Sequence, residues 1–318
     1  PYTQQWNFNI QRELPDGTLI DVAYAGARGV HLPSHWQQLN QLPDEHLSLG
    51  AALEDQVPNP FYGLITSGSL AASTVSRGQL LRPYPQYTGV QIASPSNRDS
   101  IYHSAQMKAE KRFRGGGSIL ASYTVGKLIT NTDTLTGWLE SAGSTGWGDS
   151  NNNNIRGERS LAPFDVSQRF VLSYVLDLPF GKGQRYGKDA SGVGGKLISG
   201  WGINGITTLQ TGFPLFLGAP DQSHSFGGFS RAVNIGQSAK KTGSVQGRLN
   251  EWFDTSVFGV AEPFTFGNVS RTLPDVRTPG INNFDFAIFK NTKFGPEERF
   301  GIQFRTEFFN LFNRTQFG

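Results

Sequence analysis

The chain contains no cysteine and a single methionine. Without thiols there can be no disulfide scaffold, no zinc–thiolate centre and no cysteine nucleophile. Charge is scarce too: 17% of the 318 residues are Asp, Glu, Lys or Arg, too few for a coiled coil or a long helical repeat. The 28 basic and 25 acidic residues nearly cancel, leaving a net charge of +3. Nucleic acid is therefore not an expected partner. No run of eighteen apolar residues encodes a membrane-crossing helix, and Pro1-Tyr2-Thr3-Gln4-Gln5 has neither the charged start nor the apolar core of a secretory signal. A soluble protein would explain both absences, and so would an internal piece of a larger exported one.

What the chain does have is glycine (39 residues) and aromatic rings (12%), too many rings for wholesale disorder. They fall into a period of two. Trp6, Phe8 and Ile10 alternate with Asn7, Asn9 and Gln11, a strand with one apolar and one polar face. Pro15-Asp16-Gly17 makes a tight turn, and Ile20, Val22 and Tyr24 return against Asp21, Ala23 and Ala25. The unit recurs with Ala105, Met107 and Ala109, a turn at 114–117, and Ile119 to Val125. It recurs again with Phe170 to Leu176, a Gly/Lys-rich stretch at 180–200, and Ile203 to Leu209. A fourth pair has Phe284, Phe286 and Ile288, a turn at 295–298, then Phe300, Ile302 and Phe304. The pattern predicts an all-β fold of about eight antiparallel strands in four hairpins.

The hairpins are joined by long segments, 27–99, 130–165 and 217–281, rich in Gly, Ser, Asn and Pro. Connections in compact domains are usually only about 4–6 residues long. Strict alternation of short turns and long loops is the order of a transmembrane β-barrel, with the short turns periplasmic and the loops outside. Phe113, Phe180, Trp201, Phe294 and Phe300 gather toward the short turns, and Trp6 and Tyr24 toward the loops, like the two aromatic girdles of such a barrel.

Five separated segments carry a closer resemblance. They are Leu81-Arg82-Pro83-Tyr84-Pro85 leading into Tyr102-His103-Ser104-Ala105, Phe164-Asp165-Val166-Ser167-Gln168-Arg169-Phe170 with Leu178-Pro179-Phe180-Gly181, Trp201-Gly202-Ile203-Asn204-Gly205, Gln210-Thr211-Gly212-Phe213-Pro214, and Phe304-Arg305-Thr306-Glu307-Phe308-Phe309-Asn310. In this order they resemble the barrel of Oar-like TonB-dependent outer-membrane transporters. The resemblance implies a barrel of about twenty-two strands, a lumen closed by an N-terminal plug, and energy supplied through a segment that contacts TonB. Residues 1–318 are then expected to be one partial barrel domain, the C-terminal part of the wall. Plug and N-terminal domains are absent from it, and the sheet should be an open arc whose first and last strands do not pair.

The polar strand faces supply the candidate lumen residues: Lys108, Glu110 and Arg112, then Arg169, then Gln303, Arg305 and Glu307. Charges at these positions would be costly in lipid, and inside the barrel opposite signs are expected to pair across neighbouring strands. They would stabilise the wall and help hold a plug, or line a substrate path. Trp36, Tyr62, Tyr84, Tyr87, Trp138, Trp147 and Trp252 lie in the predicted outer loops, where rings can stack on a substrate or pack the loops together.

Other motifs yield nothing sharper. Pro33 breaks the His31/His35 pair, and no His-Glu-x-x-His or Gly-x-Ser-x-Gly occurs, so neither a metal site nor catalysis is expected. Gly192-Val193-Gly194-Gly195-Lys196 lacks the first glycine and the hydroxyl of a phosphate loop and reads as a flexible turn. Asp149 and the run Asn151–Asn154 lack calcium-loop spacing and read as a solvated loop. No cofactor is expected. Active import of a scarce nutrient, with outer-membrane lipid, the TonB complex and a small-molecule, glycan or peptide substrate as partners, leads the functional readings. A passive outer-membrane channel and a secreted, soluble, carbohydrate-binding β protein stand as alternatives.

Overall fold

The computed structural model describes residues 1–34, 36–132 and 149–316. Eight long strands form one antiparallel sheet: β1 (Tyr2–Glu13), β2 (Thr18–Leu32), β3 (Arg98–Arg112), β4 (Gly117–Thr130), β5 (Gln168–Asp177), β6 (Trp201–Gln210), β7 (Ile281–Phe294) and β8 (Phe300–Phe308). Their spatial order is their chain order. Every neighbour is thus joined directly through a turn or loop, a meander of four hairpins. The two-residue strand Ser160–Leu161 adds to the outer end of β4. β1 and β8 are the two edges of this path, and the sheet is unclosed.

Turn chemistry fixes the hairpins. The first closes with Leu14 N–H donating to Thr18 O (2.8 Å) and Thr18 N–H to Asp16 Oδ1 (3.0 Å). The second closes with Phe113 N–H donating to Gly117 O (3.0 Å). The third was expected to be a flexible turn and instead contains a short helix, Gly192–Ile198, between β5 and β6. β2 reaches to Leu32 and β3 back to Arg98, so the first long connection shrinks to 33–97, while the other two, 131–167 and 211–280, are slightly longer than expected.

Register carries one face through the whole sheet, because directly opposed residues in an antiparallel ladder point the same way. Phe8 faces Tyr24, which faces Ala105, and Val125 follows. Further along, Tyr123 faces Phe170, Phe170 faces Leu209, and Phe286 faces both Gly205 and Phe308. Two glycines let large rings lie flat on this face. A methyl at Gly26 would come within 2.4 Å of the Trp6 indole, and one at Gly205 within 2.6 Å of the Tyr174 hydroxyl.

The buried core is not in the sheet. Of the buried apolar residues, only Ala287 and Phe289 belong to the eight strands. The others sit in the long connections, where packing of the loops together was one of the two readings of their aromatic rings. In 211–280, Ala232, Ala239, Val257, Val269, Leu273 and Val276 form one cluster against Leu215, Trp252 and Phe258.

Between the loops, arginine–carboxylate pairs replace hydrophobic packing. Arg98 holds Asp149 at 2.5 Å, Arg277 holds Asp165 at 2.6 Å, and Arg231 binds Glu158. Asp149, Asn151 and Asn152 are therefore held in the loop layer, where a solvated loop was expected, while Asn153 and Asn154 are exposed. Asn152 N–H donates to Gln41 Oε1 (2.9 Å) and Gln41 Nε2 to Asn151 Oδ1 (2.7 Å), tying the second loop to the first.

Candidate functional site

The sheet has two faces with different chemistry, and among the described residues no second layer covers either. The apolar one presents Phe8 at 66% exposure, Val22 at 47%, Met107 at 48% and Ile302 at 61%. A water-soluble sheet buries such a face against a second layer, and soluble monomers seldom expose apolar patches beyond a few hundred Å².

Polar side chains bound this band on both sides. Toward the loops stand Gln4, Arg28, Lys127 and Asn282, and toward the turns Arg12, Thr18, Lys111 and Lys290, all on the same face by register. At the loop-side margin Trp6 Nε1 donates to Tyr24 Oη (3.2 Å), which lies 2.7 Å from His103 Nδ1. At the turn-side margin the Lys290 ammonium sits 5.3 Å from the centre of the Trp201 ring. Amphipathic rings with their polar tips bonded at a band edge are what a membrane–water interface selects.

The opposite face carries all seven candidate lumen residues. Lys108 stands opposite Ser122, Glu110 opposite Leu120, Arg112 opposite Ser118, and Arg169 between Thr124 and Gln210. Gln303, Arg305 and Glu307 stand opposite Asn291, Phe289 and Ala287. The charges do not pair across strands as expected. They pair along them: Lys108 Nζ to Glu110 Oε2 at 3.3 Å, Arg112 Nε to Glu110 Oε1 at 2.9 Å, and Arg305 Nε to Glu307 Oε1 at 2.7 Å.

The physical reason is spacing. Residues i and i+2 share a strand face, and the opposing rungs offer Ser, Leu, Ala and Phe. Asp21, directly opposite Lys108, is the exception, and Lys108 still turns along its own strand. Such exposed pairs are screened by solvent and contribute little to stability, so they set the charge of the face more than they hold the sheet.

These residues form two clusters and not one site. The β3 triad and the β8 triad are separated by β4 to β7, about 24 Å at ~4.8 Å per strand. Arg169, exposed on β5, has no carboxylate partner among the described residues. The best-defined hollow on this face, about 490 Å³, lies beside the β3 triad and is lined by Asn7, Asn9, Asp21, Gln106, Lys108 and Thr124. Asn7, Asn9 and Asp21 were legible as polar-face residues, whereas their convergence with Gln106 depends on β2–β3 pairing across a long loop. Farther along, Val171, Val175 and Ile206 make the same face locally apolar.

Of the loop aromatics, Trp36, Tyr62, Tyr84 and Tyr87 expose their rings on the first loop. The backbone beneath Tyr84 and Tyr87 is fixed by Asn40 Nδ2, which donates to their carbonyls at 2.9 and 2.8 Å. Trp252 is engaged internally: its Nε1 donates to Arg277 O (2.7 Å) and Arg248 stacks on it at 4.1 Å. Trp138, Trp147 and His35 lie outside the described residues.

Outside the sheet, the Asp221 carboxyl titrates below its ordinary value. Partial burial pushes it up, but hydrogen bonds from Ser230 and Ser223 outweigh this.

An apolar band with polar margins on one side, a charged polar face on the other, and an unclosed meander define a segment of a transmembrane β-barrel wall. The chain belongs to the outer membrane beta barrel domain family, whose model matches residues 1–318, and its place is the bacterial outer membrane. Among solved structures, the outer membrane transporter YddB from Escherichia coli aligns at 7% identity and a TM-score of 0.42, over 98% of this chain and 29% of its own. The chain thus spans under a third of that transporter's length. No curated protein matches it in sequence.

Proposed function

We propose that residues 1–318 form part of the wall of a TonB-dependent transporter that imports a scarce nutrient across the outer membrane. In this reading they are one partial barrel domain, and residues outside this chain supply the plug and the TonB-contacting segment. The role is transport and not catalysis. The observation that carries the proposal is the open arc: eight strands run from β1 to β8 without closing. A closed eight-stranded barrel is filled by its own side chains, whereas an arc with a charged inner face fits a wide lumen that holds a plug.

In this account Lys108, Glu110, Arg112, Arg169, Gln303, Arg305 and Glu307 face that plug or the substrate path. The apolar patch of Val171, Val175 and Ile206 is a contact for the plug. The exposed rings of Trp36, Tyr62, Tyr84 and Tyr87 meet a small molecule, glycan or peptide from outside. Outer-membrane lipid surrounds the band, and nucleic acid is no partner.

Planar-bilayer recording on the intact protein tests the proposal. A plugged transporter carries no steady current until denaturant displaces the plug. A steady ohmic current from the intact protein would contradict it in favour of a passive channel, and failure to enter any bilayer would favour a soluble binding protein.

A further inference from the structure

The segment between β5 and β6 is built unlike the other three short turns. Its helix, Gly192–Ile198, is tied to two side chains of the sheet's apolar face at the turn-side margin. Trp201 and Lys290, directly opposed on that face, reach over to cap it: Trp201 Nε1 donates to Leu197 O (2.9 Å), and Lys290 Nζ to Lys196 O (2.7 Å) and Ser199 O (2.5 Å). These bonds take up helix-end carbonyls that lack partners within the helix. They also explain a lysine on a lipid-facing row, since its ammonium is fully engaged at the band's edge.

The helix in turn leaves its apolar side chains outward. Val193 is 77% exposed and Leu197 63%. Phe180, Tyr186, Leu197, Ile198 and Trp201 enclose an open apolar recess of about 370 Å³. Around it the chain places four exposed cations, Lys182, Arg185, Lys188 and Lys196, against one acid, Asp189. None of the four is in an ion pair among the described residues, and Arg185 lies over the Tyr186 ring at 5.4 Å.

We propose that residues 179–200 are a membrane foot that binds anionic phospholipid. The recess takes acyl-chain carbons, Val193 and Leu197 insert beside them, and Lys182, Arg185, Lys188 and Lys196 meet the headgroup phosphates. Two features select this occupant over a protein partner. The recess adjoins the lipid-facing band through Trp201 and Lys290, and its rim is predominantly basic, four cations to one acid. Apolar insertion beside a basic rim is the chemistry of interfacial anchoring, where each cation near an anionic surface contributes about 1 kcal/mol, or about fivefold in affinity. The proposal rests on the barrel reading of the apolar face but not on transport.

The test uses the protein assembled in outer membranes, purified and reconstituted, with a single cysteine carrying a bimane label at Leu197 (Leu197→Cys). Quenching is compared between brominated phosphatidylglycerol and brominated phosphatidylcholine, and Phe286→Cys in the sheet serves as reference. Both labels should be quenched, with phosphatidylglycerol preferred at Leu197 and not at Phe286. Arg185→Gln and Lys188→Gln should each lower that preference by up to about fivefold. A Leu197 label unquenched while the Phe286 label is quenched would overturn the foot. Quenching at both sites without lipid preference would overturn its anionic selectivity. An unquenched Phe286 label would instead overturn the barrel reading itself.

Discussion

Arg98 and Asp149 form a bidentate ion pair, Nη1 to Oδ1 at 2.9 Å and Nη2 to Oδ2 at 2.5 Å, with the guanidinium almost wholly enclosed. Arg98 is the first residue of β3 and Asp149 belongs to the connection between β4 and β5, so the pair clamps the loop layer to the barrel rim. Breaking one side of a buried pair strands a charge and costs about 3–5 kcal/mol. Arg98→Ala should therefore loosen the outer loops, seen as faster protease cleavage within 131–167 on intact membranes. Arg98→Met combined with Asp149→Leu should recover much of the loss, because neither charge is then buried alone. Unchanged cleavage in Arg98→Ala would remove the clamp from the account.

Depth within the apolar band grades the cost of a charge. Phe304 stands opposite Lys290 at the turn-side margin, while Phe286 lies four residues further into the band on the same strand as Lys290. An arginine near the midplane costs about 2–4 kcal/mol and near the interface about 0–1. Phe286→Arg should block assembly, measured by heat-modifiable gel mobility, Phe304→Arg should impair it less, and Arg305→Gln on the polar face should be mild. Equal effects of the three would contradict the assignment of faces.

The turn between β1 and β2 holds a pH-dependent lock. Hydrogen bonding from Lys111, then from the Thr18 backbone and hydroxyl, lowers the Asp16 carboxyl from its ordinary 3.8 to about 2. A depressed carboxyl favours the folded turn fully above 3.8, and the contribution is lost as pH falls through about 2. Opening at Gly17 and Thr18, read from amide exchange corrected for its intrinsic pH dependence, should be unchanged above about pH 4 and rise progressively as pH falls from 3.8 through about 2, and Asp16→Asn should abolish that rise. A change already complete by about pH 4 would show that Lys111 does not hold Asp16.

The alternation of long and short connections predicts sidedness. Leu64, 80% exposed on the first long loop, is a place for an epitope tag that antibody should reach on intact cells. A tag at Gly115, in the second short turn, should be reached only after the outer membrane is opened. The reverse pattern would invert the topology.

The eight strands were legible because each is locally periodic: Trp6, Phe8 and Ile10 alternate with amides, and Phe300, Ile302 and Phe304 with Gly301, Gln303 and Arg305. Unpaired edges followed from resemblance to a wider barrel and not from the strands themselves. The loop layer was illegible for a physical reason. It is held by polar pairs far apart in sequence, such as Arg98 with Asp149 and Gln41 with Asn152, and no local period marks them. The helix at 192–198 was hidden because three of its seven residues are glycine, a composition that reads as a turn, and its caps, Trp201 and Lys290, come from two later strands. Parity placed the charges of β3 and β8 together on the face opposite the apolar band, yet it did not give their partners, since the spacing of i and i+2 competes with the opposite rung.

Accessibility along β3 tests the barrel wall most directly. Nitroxide labels placed one at a time from 103 to 110 should alternate with period two. The labels at 103, 105, 107 and 109 should collide with oxygen dissolved in lipid, and those at 104, 106, 108 and 110 with a water-soluble nickel chelate. Chelate access on both faces of β3 would contradict a membrane-embedded wall.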